Sequence, residues 1–428
     1  MNEANKQSSS KTPWIILAIL TLLYALNFVD RMIVSVSMEA IKADFGFSDT
    51  QIGMVQSIFF LGVGILTLPA GILIDRWSRK KSISIMAIIW SLATTATGLS
   101  RSFTTLLMSR FIVGAGEAGF APGGFAWIAE IFPKEKRATA SGIFQMGIIV
   151  GCIVGMGLGG FLITKTGNWR LIYFIFGIPG ALLGLLVLFM PESVRRVVVR
   201  PVESNILKEM LGLFKIKTFF FNCWGSGLFM VLAATTQTWA AVLLMRAYDL
   251  SEAKAGMLLG LVIIPALAAP VVGGAIADRM QKKYDNGRPL FCAIASLVIV
   301  AVYIAQFYLA GKVPLAAFVA ITVLTGLVGS APIPVYHTIA QDVLPVDKRG
   351  VGASIVLFVQ YAFFTWWGST LVGKISDLLG GGVFGVRMAL LTITPFTIIA
   401  ALLFFFAGKH YKEDSARSDE SERMAESI

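Results

Sequence analysis

Gly71-Ile72-Leu73-Ile74-Asp75-Arg76-Trp77-Ser78-Arg79-Lys80 and Gly274-Ala275-Ile276-Ala277-Asp278-Arg279-Met280-Gln281-Lys282-Lys283 are two copies of one pattern, Gly-x-x-x-Asp-Arg-x-x-basic-basic. The offset from Asp75 to Asp278 is 203 residues, and the same offset carries Ser48, Gly53 and Met54 onto Ser251, Gly256 and Met257. A second pair, Pro133-x-x-Lys136-Arg137 and Pro345-x-x-Lys348-Arg349, follows at a slightly larger offset. Self-similarity held in phase over such a distance marks an internal duplication. Each copy lies between long apolar stretches, so the duplicated unit is a set of membrane-length segments.

Composition agrees with that reading. Of 428 residues, 56% are hydrophobic and 14% charged, which places the chain in the polytopic membrane class. About 20 apolar residues span ~30 Å of hydrocarbon, and such stretches lie near 14–36, 51–73, 82–100, 104–127, 138–163 and 170–190. Six more lie near 218–243, 255–277, 289–310, 314–336, 350–375 and 386–408. The expected fold is all-α, with 12 transmembrane helices in two six-helix bundles at 1–190 and 218–408. A cytoplasmic loop at 191–217 joins them, and a short polar tail at 409–428 is expected to be disordered.

The net charge of +11 is accounted for by topology rather than by nucleic acid, which is not expected as a partner. Of 36 Lys and Arg, 25 fall on the termini and alternate loops in phase with them, and 9 on the opposite loops. The positive-inside rule then puts both termini in the cytoplasm of a multi-pass cell-membrane protein. Cys152, Cys223 and Cys292 are far apart, without disulfide or metal-ligand spacing. No nucleotide-binding Gly-Lys-Ser/Thr loop, His-Glu-x-x-His or Gly-x-Ser-x-Gly occurs, so an enzyme is not expected and neither cofactor nor metal is implied. Parallel repeats of this kind are typical of secondary transporters, whose site lies near the midplane between the repeats.

Four ionisable residues interrupt the apolar spans: Asp30 and Arg31 in the first, Arg110 and Glu117 in the fourth. A charge at the bilayer centre costs roughly 2.5 to 3.5 kcal/mol on insertion scales, so these residues face a protein interior or a water-filled path. At 1.5 Å per residue Asp30 lies about 25 Å along its span and Arg110 about 10 Å below the outer face, depths that suit an Asp30–Arg110 pair. Glu117, two helical turns on from Arg110, falls on the same face. An anion competing for Arg31 or Arg110 would free Asp30 or Glu117 to take a proton. Gln237, Gln360 and Tyr361 are further substrate-contact candidates in the second half.

Twelve spans, the central loop and the doubled motif together resemble the major facilitator superfamily over nearly the whole chain. The resemblance implies two bundles rocking about a central cavity, with Gly71, Asp75, Arg76, Arg79, Gly274, Asp278 and Arg279 at a cytoplasmic gate. Phe28-Val29-Asp30-Arg31, with Arg110-x-x-x-Gly114-x-x-Glu117-Ala118-x-x-x-Pro122, resembles the anion:cation symporter branch. That branch carries hexonates, hexuronates and related organic anions with protons. The resemblance implies proton coupling at Asp30 and Glu117 and carboxylate contact at Arg31. The branch commonly has Tyr where this chain has Phe28, which removes a hydroxyl from the expected site. Gly114-Ala115-Gly116-Glu117-Ala118 with Asp30-Arg31 also resembles the spinster-like branch of lysolipid and sphingolipid transporters. Phe219, Phe220, Phe221, Phe363, Phe364, Trp366 and Trp367 are candidates to line a lipid-accepting cavity. Another proton-coupled major facilitator exporter is the remaining alternative. The expected partners are a small organic anion, protons and the lipid bilayer, and the expected state is a monomer.

Overall fold

The computed structural model describes residues 12–191 and 206–426, apart from the side chains at 75, 76, 206–209, 347 and 424–426. Among the described residues, eleven helices are long and apolar enough to cross a membrane. The twelfth crossing is the fourth in order, built from Phe103–Glu117 and Phe120–Ile131 with an interruption at Ala118 and Gly119. An even number of crossings brings the termini to one face of the bundle.

The positions that repeat in phase have structural reasons. Ser48 caps the second crossing, Asp49–Ile74, by accepting from the Gln51 backbone N–H at 3.3 Å, and Ser251 caps the eighth, Glu252–Lys283, by accepting from the Lys254 N–H at 3.4 Å. Each cap satisfies a backbone donor that the first helical turn leaves open. One turn on, Gly53 and Gly256 are where the two halves touch. A Cβ on Gly53 would stand 2.2 Å from the Ser369 carbonyl oxygen, and one on Gly256 would stand 2.0 Å from that of Met156. The duplicated sequence thus preserves both the start of each helix and the place where it meets the opposite half.

Two crossings carry a π-helical turn, at Val154–Leu158 in the fifth and Val359–Thr365 in the eleventh. Such turns rotate the following residues relative to a regular helix and recur at functional sites. Here they bring Met156 and Tyr361 to the central cavity. Thr365 Oγ1 donates to the Gln360 carbonyl at 2.8 Å, satisfying an acceptor within the widened turn.

The polar tail departs from expectation. Pro395–Glu426 is one continuous helix, so the described part of 409–428 is ordered. Its acids and hydroxyls are used for docking. Asp414 accepts from the Thr218 N–H at 3.0 Å, Ser418 Oγ donates to the Leu344 carbonyl at 2.9 Å, and Tyr411 OH donates to Asp342 at 2.6 Å. Low hydropathy here reflects a helix clamped to the end of the second bundle. Within the central loop, Ile206–Leu213 is helical and 192–205 lies outside the described residues.

Candidate functional site

The four charged residues gather in the first half, in a different pairing from the expected one. Arg31 Nε donates to Glu117 Oε2 at 2.9 Å, with the Arg31 side chain 19% exposed and that of Glu117 fully buried. Asp30 and Arg110 form no ion pair. Both are buried, with Thr94, Arg110, Glu117 and Arg31 all near the Asp30 carboxyl. Among the described residues Arg110 has no hydrogen-bond partner on any guanidinium nitrogen, and its guanidinium carbon instead stands 4.9 Å from the centroid of the Phe59 ring. Arg31 stands 5.5 Å from the centroid of the same ring and 5.0 Å from that of Phe28. Two cations thus share one aromatic ring, whose negative faces attract positive charge. Depth along two helices suggested Asp30–Arg110, but rotation about the helix axes turns Arg31 towards Glu117.

Close backbone approach holds the cluster together. Gly114 packs so tightly against the second crossing that a Cβ would fall 2.0 Å from the Phe59 carbonyl oxygen. Gly151 and Gly155 press on the first crossing, where a Cβ would fall 2.3 Å from the Ala25 carbonyl and 2.8 Å from Met32 Cβ. These small residues give helices in lipid the close contact that drives their association.

Between the halves lies a cavity of about 290 Å³. Among the described residues Arg31 is the only charged side chain on its wall; Asp30, Arg110 and Glu117 are enclosed behind it. Gln237 and Tyr361 line the cavity, whereas Gln360, 2% exposed, does not. Tyr361 stacks on Phe60, ring centroids 5.8 Å apart, so the two halves meet there through aromatic faces. Sequence reasoning missed Gln56, Tyr303, Gln306, Thr322 and Thr325. A lone neutral polar residue in an apolar run gives a weak signal, because it serves equally to bond a neighbouring helix. None of Phe219, Phe220, Phe221, Phe363, Phe364, Trp366 and Trp367 lines the cavity.

On the face remote from the termini the halves are joined by a polar seam. Asp377 accepts from the backbone N–H groups of Asp49 and Thr50 at 2.9 and 2.8 Å, placing a carboxylate on the positive start of the second crossing. Asp49 in turn receives Arg246 through both guanidinium NH₂ groups at 2.7 and 2.8 Å, Lys42 at 2.5 Å and Ser376 at 2.6 Å. Arg246 also binds Glu39 at 2.7 Å. Nearer the cavity, Ser35 Oγ bonds the Gln237 and Thr238 carbonyls at 3.1 and 2.8 Å, and Thr370 Oγ1 lies 2.7 Å from Ser57 Oγ. Bidentate, charge-assisted bonds are the strong kind, and here they tie the two halves together on that face.

The family model described as Major Facilitator Superfamily matches this chain over residues 20–365 and again over 227–426. The chain belongs to the Major Facilitator Superfamily. As a superfamily transporter, it is similar over 94% of its length to an "MFS-type efflux pump" of Mycolicibacterium smegmatis, 26% identical over 412 residues and covering 94% of that protein. It is 28% identical over 309 residues to the "Probable galactarate/D-glucarate transporter GudP" of Bacillus subtilis, a match covering 65% of this chain and 67% of the relative. Its fold overlays a crystal structure titled as a bacterial homolog to human lysosomal transporter, Spinster, with a TM-score of 0.80 and 23% identity, covering 95% of this chain and 99% of that one. Relatives named for efflux, sugar-acid transport and spinster function therefore share this architecture, and the site has to separate them.

The repeated superfamily motif is placed as follows. The side chains of Asp75 and Arg76 lie outside the described residues. Arg79 binds Glu130 at 2.5 Å and the Ala126 carbonyl at 2.6 Å, both in the fourth crossing of its own half. Asp278 accepts from Arg288 at 2.9 Å, and Arg288 also holds Asp342 at 2.7 Å. Arg279 is exposed. A Cβ on Gly71 or Gly274 would meet nothing within 4 Å. These described contacts of Arg79 and Asp278 brace crossings within one half. Arg288, missed in the sequence because it follows the motif rather than belonging to it, is the hub of the second bundle's brace.

Proposed function

We propose that this superfamily transporter carries a small organic anion together with protons, by alternating access between two sides of a cell membrane. The observation that carries the reading is Arg31: the single charge on the cavity wall is the one whose guanidinium already holds a buried carboxylate, Glu117. A substrate carboxylate entering the cavity competes for that guanidinium. When Arg31 turns to the substrate, Glu117 is left buried without its cation, a costly state that a proton cancels. Asp30, enclosed beside Arg110 and Thr94, provides a second proton-accepting carboxyl in the same compartment. Anion and proton then share one site energetically while occupying different atoms.

The likeness to a relative named for sugar-acid transport supports an organic anion. The cavity, about 290 Å³, lies at the lower limit of the ~300–1,000 Å³ usual for small-molecule sites, which suits a metabolite better than a lipid with its acyl chain. In this reading both termini face the cytoplasm, the closed seam is external, and Gly71, Asp75, Arg76, Arg79, Gly274, Asp278 and Arg279 act on the cytoplasmic side, bracing each bundle as it rocks. The protein works as a monomer.

Uptake into proteoliposomes under an imposed inward proton gradient tests this, with labelled organic acids run beside a fluorescent lysolipid. Acid accumulation that an uncoupler abolishes is the expected result. Lipid movement without acid uptake would overturn it in favour of a spinster-like activity.

A further inference from the structure

The second half places on the cavity wall a polar group whose chemistry complements Arg31. Gln306 is 3% exposed and touches the cavity, and its side-chain carbonyl Oε1 has no hydrogen-bond partner among the described residues. The orientation of its amide is fixed by its neighbour. Thr322 Oγ1 gives its only proton to the Phe318 carbonyl at 2.9 Å, so at 3.2 Å from Gln306 it can only accept, and the Gln306 NH₂ must face it. That leaves Oε1 as an unused acceptor. Thr236, also buried, lies on the same wall beside the hydroxyl of Tyr303.

Gln306, Thr322 and Thr236 also line a recess of about 10 Å³ that continues from the main cavity and is otherwise walled by apolar side chains such as Phe318 and Leu390. That is roughly the space one water or one hydroxyl occupies. Among the described residues no positive charge lines the recess, so a second carboxylate is excluded by desolvation. A neutral donor is what a lone buried carbonyl requires.

We propose that Gln306, with Thr322 orienting it and Thr236 beside it, forms a hydroxyl-recognition subsite, and that the substrate is a hydroxylated monocarboxylate. Its carboxylate meets Arg31 in the first half and a distal hydroxyl donates to Gln306 Oε1 in the second. The inference rests on the anion reading above and adds the substrate's other end. It also relocates hydroxyl recognition: Phe28 offers only its ring to Arg31, and the hydroxyl contact is supplied from the opposite bundle. A site built to bond a hydroxyl discriminates against the analogue lacking it far more strongly than an apolar pocket discriminates by size.

The test uses 4-hydroxybutyrate, 5-hydroxypentanoate and 6-hydroxyhexanoate against butyrate, pentanoate and hexanoate. Affinity is read from the ligand-dependent thermal shift of the purified full-length protein. In the unmodified protein one chain length of hydroxy acid is expected to bind at least about tenfold tighter than its deoxy partner. Gln306→Met, which keeps the length and removes the acceptor, should bring the hydroxy acid down to the deoxy value and leave the deoxy acid unchanged. Gln306→Glu keeps an acceptor oxygen but adds charge and should weaken both acids. Thr236→Val gives a second route to the same answer should Gln306→Met fail to fold, with a partial loss of hydroxyl preference expected. Absence of preference at every chain length, or full preference retained in Gln306→Met, overturns the subsite. Absence of any acid binding, or undiminished binding in Arg31→Ala, overturns the anion reading instead.

Discussion

The two halves of this molecule share a backbone and a motif but not their chemistry. The offset of 203 that aligns the repeated motif carries Asp30 and Arg31 onto Ala233 and Ala234, and the offset of 212 between Pro133 and Pro345 carries Arg110 and Glu117 onto Thr322 and Gly329. All four counterparts line the cavity. The positions thus differ in both charge and exposure: in the second half all four are neutral and line the cavity, whereas in the first half they are charged and only Arg31 reaches it. In the proposed alternating-access cycle, concentrating charge in one bundle lets acids and guanidiniums compensate one another whichever way the bundles tilt, since their mutual distances do not depend on the opening. Placing neutral amides and hydroxyls in the other gives recognition without a second set of buried charges.

The largest effect is expected at Glu117. With a gradient of one pH unit, each coupled proton sustains about tenfold accumulation, the equivalent of 1.4 kcal/mol. Glu117→Gln should abolish that accumulation while sparing exchange between labelled and unlabelled substrate in counterflow. Accumulation surviving in this variant would remove the first half's special role.

Arg31→Ala should come next. Removing one partner of a buried pair costs about 3 kcal/mol. Thr322→Ala, at the counterpart of Arg110, removes two neutral hydrogen bonds, to the Phe318 carbonyl and from the Gln306 amide, and should cost about 1–2 kcal/mol. Equal losses in the two variants would break the contrast.

Smaller in stability but visible in shape is the seam. Arg246→Ala leaves Asp49 and Glu39 short of a cation and should tilt the balance away from the closed seam by about 2 kcal/mol. Spin labels on Lys165→Cys and Lys254→Cys, exposed positions across the seam, would report a longer-distance population. Gly256→Ala should act in the same direction through the clash with Met156. Gly274→Ala, about five helical turns further along the same span and uncrowded here, should leave stability within about 0.5 kcal/mol of the original. A Gly274→Ala protein that is as disturbed as Gly256→Ala would show that closeness of approach does not separate these glycines.

Much of this architecture was legible because the bilayer is a severe solvent. Backbone groups in hydrocarbon must bond internally, so a long apolar run reads directly as a helix, and a charge inside one reads as a functional residue. Asp30, Arg31, Arg110 and Glu117 were visible for that reason. Gln306 and Thr322 were not, since a neutral polar side chain costs little enough to be commonplace. The tail's helix was hidden too: its stability comes from Asp414, Tyr411 and Ser418 finding partners on the second bundle, and composition carries no record of partners.

The sequence by itself determined the class of fold, the duplication and the identity of the charges, because each follows from local cost along the chain. Only the tertiary structure decided that Arg31 rather than Arg110 meets a carboxylate, that Arg31 alone among the four reaches the cavity, and that Asp49 is the centre of a cross-half seam. Those outcomes depend on helix rotation and on distances between segments hundreds of residues apart, such as Asp49 and Asp377. Depth along a helix is additive in the sequence, whereas azimuth between two helices is settled by packing.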